Sequence, residues 1–253
     1  MKIIEVNNIS YKIKDRFLLN DISFSLEEGG FYCVVGMNGS GKTTLIKSLT
    51  NNIVLNDGQI KIKDKDIRKY SAKQLAHNIS VVFQENETMF DFSAMQIVFM
   101  GRIPYQKLLE QDSEEDFLIV KDCMERTNTW HLRNRNIKDL SGGEKQRVFI
   151  ARCLAQKTPI ILLDEPVSSL DIKHQFEIME LLKKINKESN TTILIILHDL
   201  SLTLKYADYV IALKDGRLVN FGSNKEVLTA DNIRDIFEVK ANIIDNQIFL
   251  SNN

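Results

Sequence analysis

The sequence predicts an α/β fold: a largely parallel sheet flanked by helices, with an antiparallel β subdomain at the start and an α-helical subdomain inserted midway. Three observations carry this prediction. Apolar strand-like runs ("FYCVV", "PIILLDEP", "TTILIILHD") alternate with segments of helical period, as parallel strands joined by crossover helices do. The opening stretch, "KIIEVNNISYKIKDRFLLNDISFSLEEGG", alternates apolar and polar residues in short segments and reads as antiparallel strands. From Glu85 to Gln156 the texture changes to long helical patterns such as "SAMQIVFMGR" and "SEEDFLIVKDCMERTN".

Taken in order, "FYCVV" is an unbroken apolar run suited to a buried strand. It feeds a glycine-rich loop, after which "KTTLIKSLT" reads as helix and "DGQIKIKDKDI" as strand and turn. Beyond the helical insertion, Pro159 and Pro166 bracket the strand "IILLDE", where a missing backbone donor is tolerated. "DIKHQFEIMELLKKINKE" sets Ile172, Phe176, Met179, Leu182 and Ile185 on one helical face, the expected core face. The expected organisation is one domain over 1–253, with a core of about 1–84 and 157–253 and a helical subdomain of about 85–156.

The composition is that of an ordinary soluble globular chain, 43% hydrophobic and 26% charged. Lys and Arg total 33 against 34 for Asp and Glu, so the basic excess of a nucleic-acid binder is missing and no nucleic-acid partner is expected. Cys33, Cys123 and Cys153 are scattered, and buried free thiols in a reducing compartment are expected. "MKIIEVNN" lacks a secretory apolar region, and "TILIILHDL", the densest apolar run, is far too short to span a bilayer. A membrane role would need another chain.

The residues from Gly36 to Thr43 fit G-x-x-x-x-G-K-[ST] between a strand and a helix. Gly36, Gly39 and Gly41 let the backbone turn its N–H groups toward a phosphate, and the helix N-terminus adds positive potential. Lys42 can reach the β- and γ-phosphates of ATP, and the Thr43 hydroxyl can ligate Mg²⁺. Asn38, Ser40 and Thr44 complete the loop. Asp164 and Glu165 end a buried strand; the first is placed to hold Mg²⁺ and the second to polarise water as a general base. Gln84 and His198 also end strands, and alone neither would be singled out.

Together these pieces resemble the ATP-binding cassette (ABC) ATPase family over nearly the whole chain. The resemblance implies a P-loop NTPase core of RecA-like type. It matches Gln84 to the Q-loop, a catalytic and Mg²⁺-binding position, and "LSGGE" (Leu140 to Glu144) to the family signature. It matches "SSLD" (Ser168 to Asp171) to the D-loop and His198 to the switch histidine. Tyr11 falls where the family places an aromatic that stacks on adenine. The resemblance also explains why one chain carries two phosphate-type loops. Family members act as ATP-dependent head-to-tail pairs, with each nucleotide between one P-loop and the partner's signature loop, here Ser141, Gly142 and Gly143. Met37, Glu144 and Val167 depart from the common residues Pro, Gln and Thr, but none removes a ligand.

"FDFSAMQIVFMGRIPY", from Phe90 to Tyr105, resembles the segment found in importers of iron–siderophore, haem, cobalamin and related chelates, with its G-R-x-P motif. Tyr105 departs from a histidine common in that subgroup. The resemblance implies an importer subunit at the cytoplasmic face of the membrane. It would dock on integral membrane permease subunits through the helical subdomain and be served indirectly by an extracytoplasmic substrate-binding protein. Phe92, Met95, Val98 and Phe99 are expected either to line the permease groove or to be core. The alternative is a soluble ABC ATPase driving scaffold assembly, as in iron–sulfur cluster biogenesis. Repair ATPases need a long coiled coil, and translation-associated members need two cassettes; neither is present.

Overall fold

The computed structural model describes residues 1–84, 91–106, 113–244 and 247–251. Strands β1 (Lys2–Ile13) and β2 (Arg16–Glu27) lead into β3 (Phe31–Val35), α1 (Lys42–Leu49), β4 (Asp57–Ile62), β5 (Lys65–Asp66), α2 (Ala72–Ala76) and β6 (Ile79–Val82). The helical stretch holds α3 (Ala94–Phe99), α4 (Glu114–Arg126) and α5 (Gly142–Ala155). Then come β7 (Ile160–Leu163), α6 (Ile172–Ser189), β8 (Thr192–Ile196), α7 (Leu200–Tyr206), β9 (Tyr209–Lys214) and β10 (Arg217–Ser223). The chain closes with α8 (Asn224–Val227), α9 (Ala230–Phe237), β11 (Lys240–Ile244) and β12 (Gln247–Ser251).

The central sheet has six strands in the order β10-β9-β3-β8-β7-β6. All its pairings are parallel except the edge pair of β10 with β9. A second, antiparallel sheet runs β2-β1-β4-β5, and β11–β12 form a separate hairpin. The central strands read as continuous apolar runs because both faces are covered. Phe31, Cys33, Val35, Ile161, Leu163, Ile193 and Ile195 enter one buried cluster with the helices of the insertion. Tyr32, Val34, Ile160, Leu162, Leu194 and Ile196 enter the other, shared with α1 and the antiparallel sheet. Each such aliphatic side chain contributes about 1.5–3 kcal/mol by leaving water, so a charge in β8 would break the layers apart. The three cysteines are buried and unpaired, as expected. Burial pushes the Cys33 and Cys123 thiols up to about 12.

One expectation fails at α6. Met179, Leu182 and Ile185 are buried, but Ile172 is 73% exposed and Phe176 41% exposed. Period alone fixes which face of a helix is apolar, not how far along the helix the core extends. The first turns of α6 project past the core and line a groove shared with Leu202 of α7 and Phe249 of β12. Phe92, Met95 and Phe99 pack partly buried against the main cluster, and Val98 is fully buried within it. Position 85, the expected start of the insertion, and Phe90, the start of the Phe90–Tyr105 segment, lie outside the described residues.

Candidate active site

Four adjacent parallel strands end on one side of the sheet, and each delivers one part of the site there, where ligands of open α/β sheets bind. β3 ends in the P-loop, β6 in Gln84, β7 in Asp164 and Glu165, and β8 in His198. The loop needs glycine where its backbone is left-handed and crowded. At Gly41 (φ 100°) a Cβ would collide with the Leu18 carbonyl, and at Gly36 (φ 150°) with that of Leu213.

Lys42 opens α1 and is 5% exposed. Its ammonium donates to the carbonyls of Gly36 (2.9 Å) and Met37 (3.0 Å), so it lies folded along its own loop. Burial holds its pKa below the ordinary value, and the carboxylates of Glu165 and Asp164 only partly offset this. Asp164 is 1% exposed, and its backbone N–H donates to Val82, extending the β6–β7 pairing. Burial raises the Asp164 pKa despite the hydrogen bond from Thr43 Oγ1 to its Oδ1 (3.3 Å), and neighbouring Glu165 adds to the rise.

Glu165 adopts a left-handed backbone (φ 51°), uncommon for a residue with a Cβ. The turn lets consecutive carboxylates at the strand end serve the same site. Both Glu165 oxygens are engaged, Oε1 by His198 Nε2 (2.6 Å) and Oε2 by Gln84 Nε2 (3.0 Å).

Lys42, Thr43, Gln84, Glu165 and His198 help line a cavity of about 490 Å³, while Asp164 sits behind Thr43 and does not line it. Asn38, Gly39, Gly41, Lys42, Thr43 and Thr44 form its floor, and Gln84, Glu165 and His198 its far wall. Gly36 lies at the start of the loop, and the Ser40 hydroxyl is buried behind it with no hydrogen-bond partner among the described residues. Ser141, Gly142 and Gly143 do not line this cavity. Ser141 instead caps α5 in a reciprocal pair: its hydroxyl accepts from the Glu144 N–H, and its own N–H donates to the Glu144 carboxylate (2.8 Å). Tyr11 does not line the cavity either. It faces Leu19 across the β1–β2 ladder and packs, partly buried, on the side of the antiparallel-sheet cluster. Arg16 and Leu18 take the near wall, and sequence reading missed both. In the hairpin "YKIKDRFLLN" the register steps from Tyr11–Leu19 to Lys12–Phe17 and skips Leu18, a bulge that nothing in the sequence marks.

Among the described residues no three His, Cys, Asp or Glu side chains are grouped to cage a metal by themselves. The oxygens of Thr43, Asp164 and Gln84 fit Mg²⁺, which takes few protein ligands beside a substrate's phosphates. The buried Asp164 carboxylate has no cationic side chain within ion-pair distance among the described residues, which agrees with such a role.

A P-loop, a buried acidic strand end and a carboxylate held between Gln and His define a nucleoside-triphosphatase on a P-loop α/β core. The chain belongs to the ABC transporter family, whose sequence profile matches residues 19–168, and it is an ABC-type, ATP-binding ATPase. It is 36% identical over 230 residues to the iron(3+)-hydroxamate import ATP-binding protein FhuC of Bacillus subtilis (strain 168), covering 91% of this chain and 86% of that one. It is 36% identical to the ferric enterobactin transport ATP-binding protein FepC of Escherichia coli (strain K12), covering 90% and 84%. The fold matches the ADP conformation of the ABC transporter cassette MJ1267 with a TM-score of 0.84 at 26% identity, covering 94% of this chain and 99% of that one. It also matches the dimeric structure of the bacterial cassette MJ0796 with a TM-score of 0.76 at 28% identity, covering 87% and 98%.

Proposed function

We propose that this chain is the ATP-hydrolysing subunit of an importer, powering uptake of an iron–siderophore or related metal chelate through separate membrane permease subunits. The observation that carries the substrate class is similarity along nine-tenths of the chain to proteins described as iron(3+)-hydroxamate import and ferric enterobactin transport ATP-binding proteins. Both descriptions concern transport, which favours this reading over scaffold assembly. No helix among the described residues is long and apolar enough to cross a membrane, so the chelate's path belongs to the permease. In this reading the chain works at the cytoplasmic face, docks through its helical insertion, and receives chelate from an extracytoplasmic binding protein by way of the permease.

The chemistry proposed for the site follows from its groups. The P-loop amides and Lys42 hold the triphosphate, and Mg²⁺ held by Thr43, Asp164 and Gln84 would neutralise developing charge on the phosphates. Glu165 accepts the proton of the attacking water. His198 and Gln84 fix its carboxylate by donating to one oxygen each. Ser141–Gly143, which lie outside the cavity of their own chain, are assigned in this reading to the site of a second copy in a head-to-tail dimer. The test is purification from membranes with and without the permease. Permease-dependent membrane attachment and chelate-stimulated ATP hydrolysis are expected, and attachment indifferent to the permease would overturn the import reading.

A further inference from the structure

We infer that Arg16 is a phosphate-contacting residue of the nucleotide site, its guanidinium carried over the P-loop by a bulge in β2. The inference rests on reading the cavity as the ATP site. In the β1–β2 ladder Tyr11 pairs with Leu19, Lys12 with Phe17 and Ile13 with Arg16, which leaves Leu18 without a partner on β1. Such an extra residue bends its strand and re-aims the side chains around it. Here β2 packs closely on the P-loop and on the turn between β9 and β10: a Cβ on Gly41 would overlap the Leu18 carbonyl oxygen, and one on Gly216 would sit 2.9 Å from it. Arg16, two residues before Leu18, lines the same cavity, and its Nη2 lies 3.8 Å from where a Gly39 Cβ would stand.

Arg16 has no ion-pair partner among the described residues, and the nearby Asp15 pairs with Lys12 instead (3.7 Å). Lys42, the other cation of the cavity, is turned onto two loop carbonyls. The guanidinium is therefore the free positive charge beside a loop of anion-binding amides. Its planar fork of donors matches phosphate oxygens. A guanidinium can also stack on a base, but its loop neighbour is Gly39, within the stretch whose amides cradle phosphate. Leu18 offers the apolar surface that a base would prefer.

The test uses the full-length protein and equilibrium binding of ATP and of GTP to wild type, Arg16→Ala, Arg16→Lys and, as a control, Lys42→Ala. We expect Arg16→Ala to weaken both nucleotides alike, about tenfold at low salt, with Arg16→Lys restoring much of the loss and ~0.5 M salt shrinking it. A loss for ATP alone would show that Arg16 reads the base, and unchanged affinity would remove it from the site; either result overturns the inference. If Arg16→Ala is silent while Lys42→Ala is not, only this inference falls. If both are silent, nucleotide does not bind in this cavity, and the reading beneath it falls as well.

Discussion

His198 Nε2 lies 2.6 Å from Glu165 Oε1, and the opposite carboxylate oxygen is held 3.0 Å from Gln84 Nε2. Two donors from two strand ends thus fix the orientation of a carboxylate one residue beyond buried Asp164. Glu165→Gln keeps the shape but cannot take a proton from water, and its amide offers one acceptor to two donors. Turnover is expected to fall by about 10²–10⁴, with ATP binding retained because Lys42, Thr43 and Asp164 remain. Phosphate-release kinetics beside nucleotide binding would check this. Undiminished turnover would move the base role from Glu165 to His198.

Much of this site was legible because it lies where strands stop. "FYCVV", "PIILLDEP" and "TTILIILHD" announce themselves as buried strands, and the candidate site residues sit at the carboxyl end of each. The mutual hold of Gln84, Glu165 and His198 was not legible, since it depends on the order β3-β8-β7-β6, which sequence does not state. Arg16 and Leu18 escaped because a one-residue bulge decides which way a strand's side chains face. Ile172 and Phe176 looked like core because helical period says nothing about where along α6 the core ends. Arg102, read only as part of a G-R-x-P motif, proves to be a buried structural tie.

Lys42 gives a pH-dependent signature of stability. Its pKa lies below its ordinary 10.5 because burial disfavours the ammonium. Between the lowered native value and 10.5 the unfolded chain binds more protons than the native one, so stability rises with pH in that window. Lys42→Met removes the effect together with much of the ATP affinity. Thermal melts of the two proteins should therefore show wild type gaining on the variant as pH climbs from neutral toward 10. A gap constant across that range would mean that the ammonium is not strained by burial.

The helical insertion should fail at Arg102. Its Nε donates to Asp116 (2.7 Å) and its Nη1 to the Ala155 carbonyl (2.7 Å), tying the Met100–Tyr105 turn to the start of α4 and the end of α5. Burial alone would raise the Asp116 pKa, but Arg102 and Ser113 bring it below the ordinary value. The stabilisation this gives is present above pH ~3.8 and is lost as pH falls through the native value. Arg102→Ala strands a buried carboxylate and should cost about 3–5 kcal/mol. Chemical denaturation would measure it, and replacing Asp116 by Asn in the same chain should recover part of the loss. A change below 1 kcal/mol would show that this tie contributes little.

Ser141 tests the proposed sharing of the site between two copies. Its hydroxyl caps α5, and the Ser141 N–H and hydroxyl hold the Glu144 carboxylate below its ordinary pKa, so Ser141 is tied to the first turn of its own helix. Yet it stands apart from the cavity of the same chain. Ser141→Arg should leave the chain's own P-loop intact, with ATP affinity within about twofold, and block hydrolysis by obstructing the partner's γ-phosphate. Ser141→Ala measures the cap alone, worth about 1 kcal/mol in a melt. Mixing Ser141→Arg with Lys42→Ala gives a decisive case. In the mixed dimer one site has both loops defective, while the other joins the intact P-loop of the Ser141→Arg chain to the intact signature of the Lys42→Ala chain. ATP turnover should therefore return on mixing two silent proteins if the two sites act independently, and strict coupling between them would keep the mixture silent. Full turnover by Ser141→Arg alone would show that each chain hydrolyses ATP without its neighbour's signature loop.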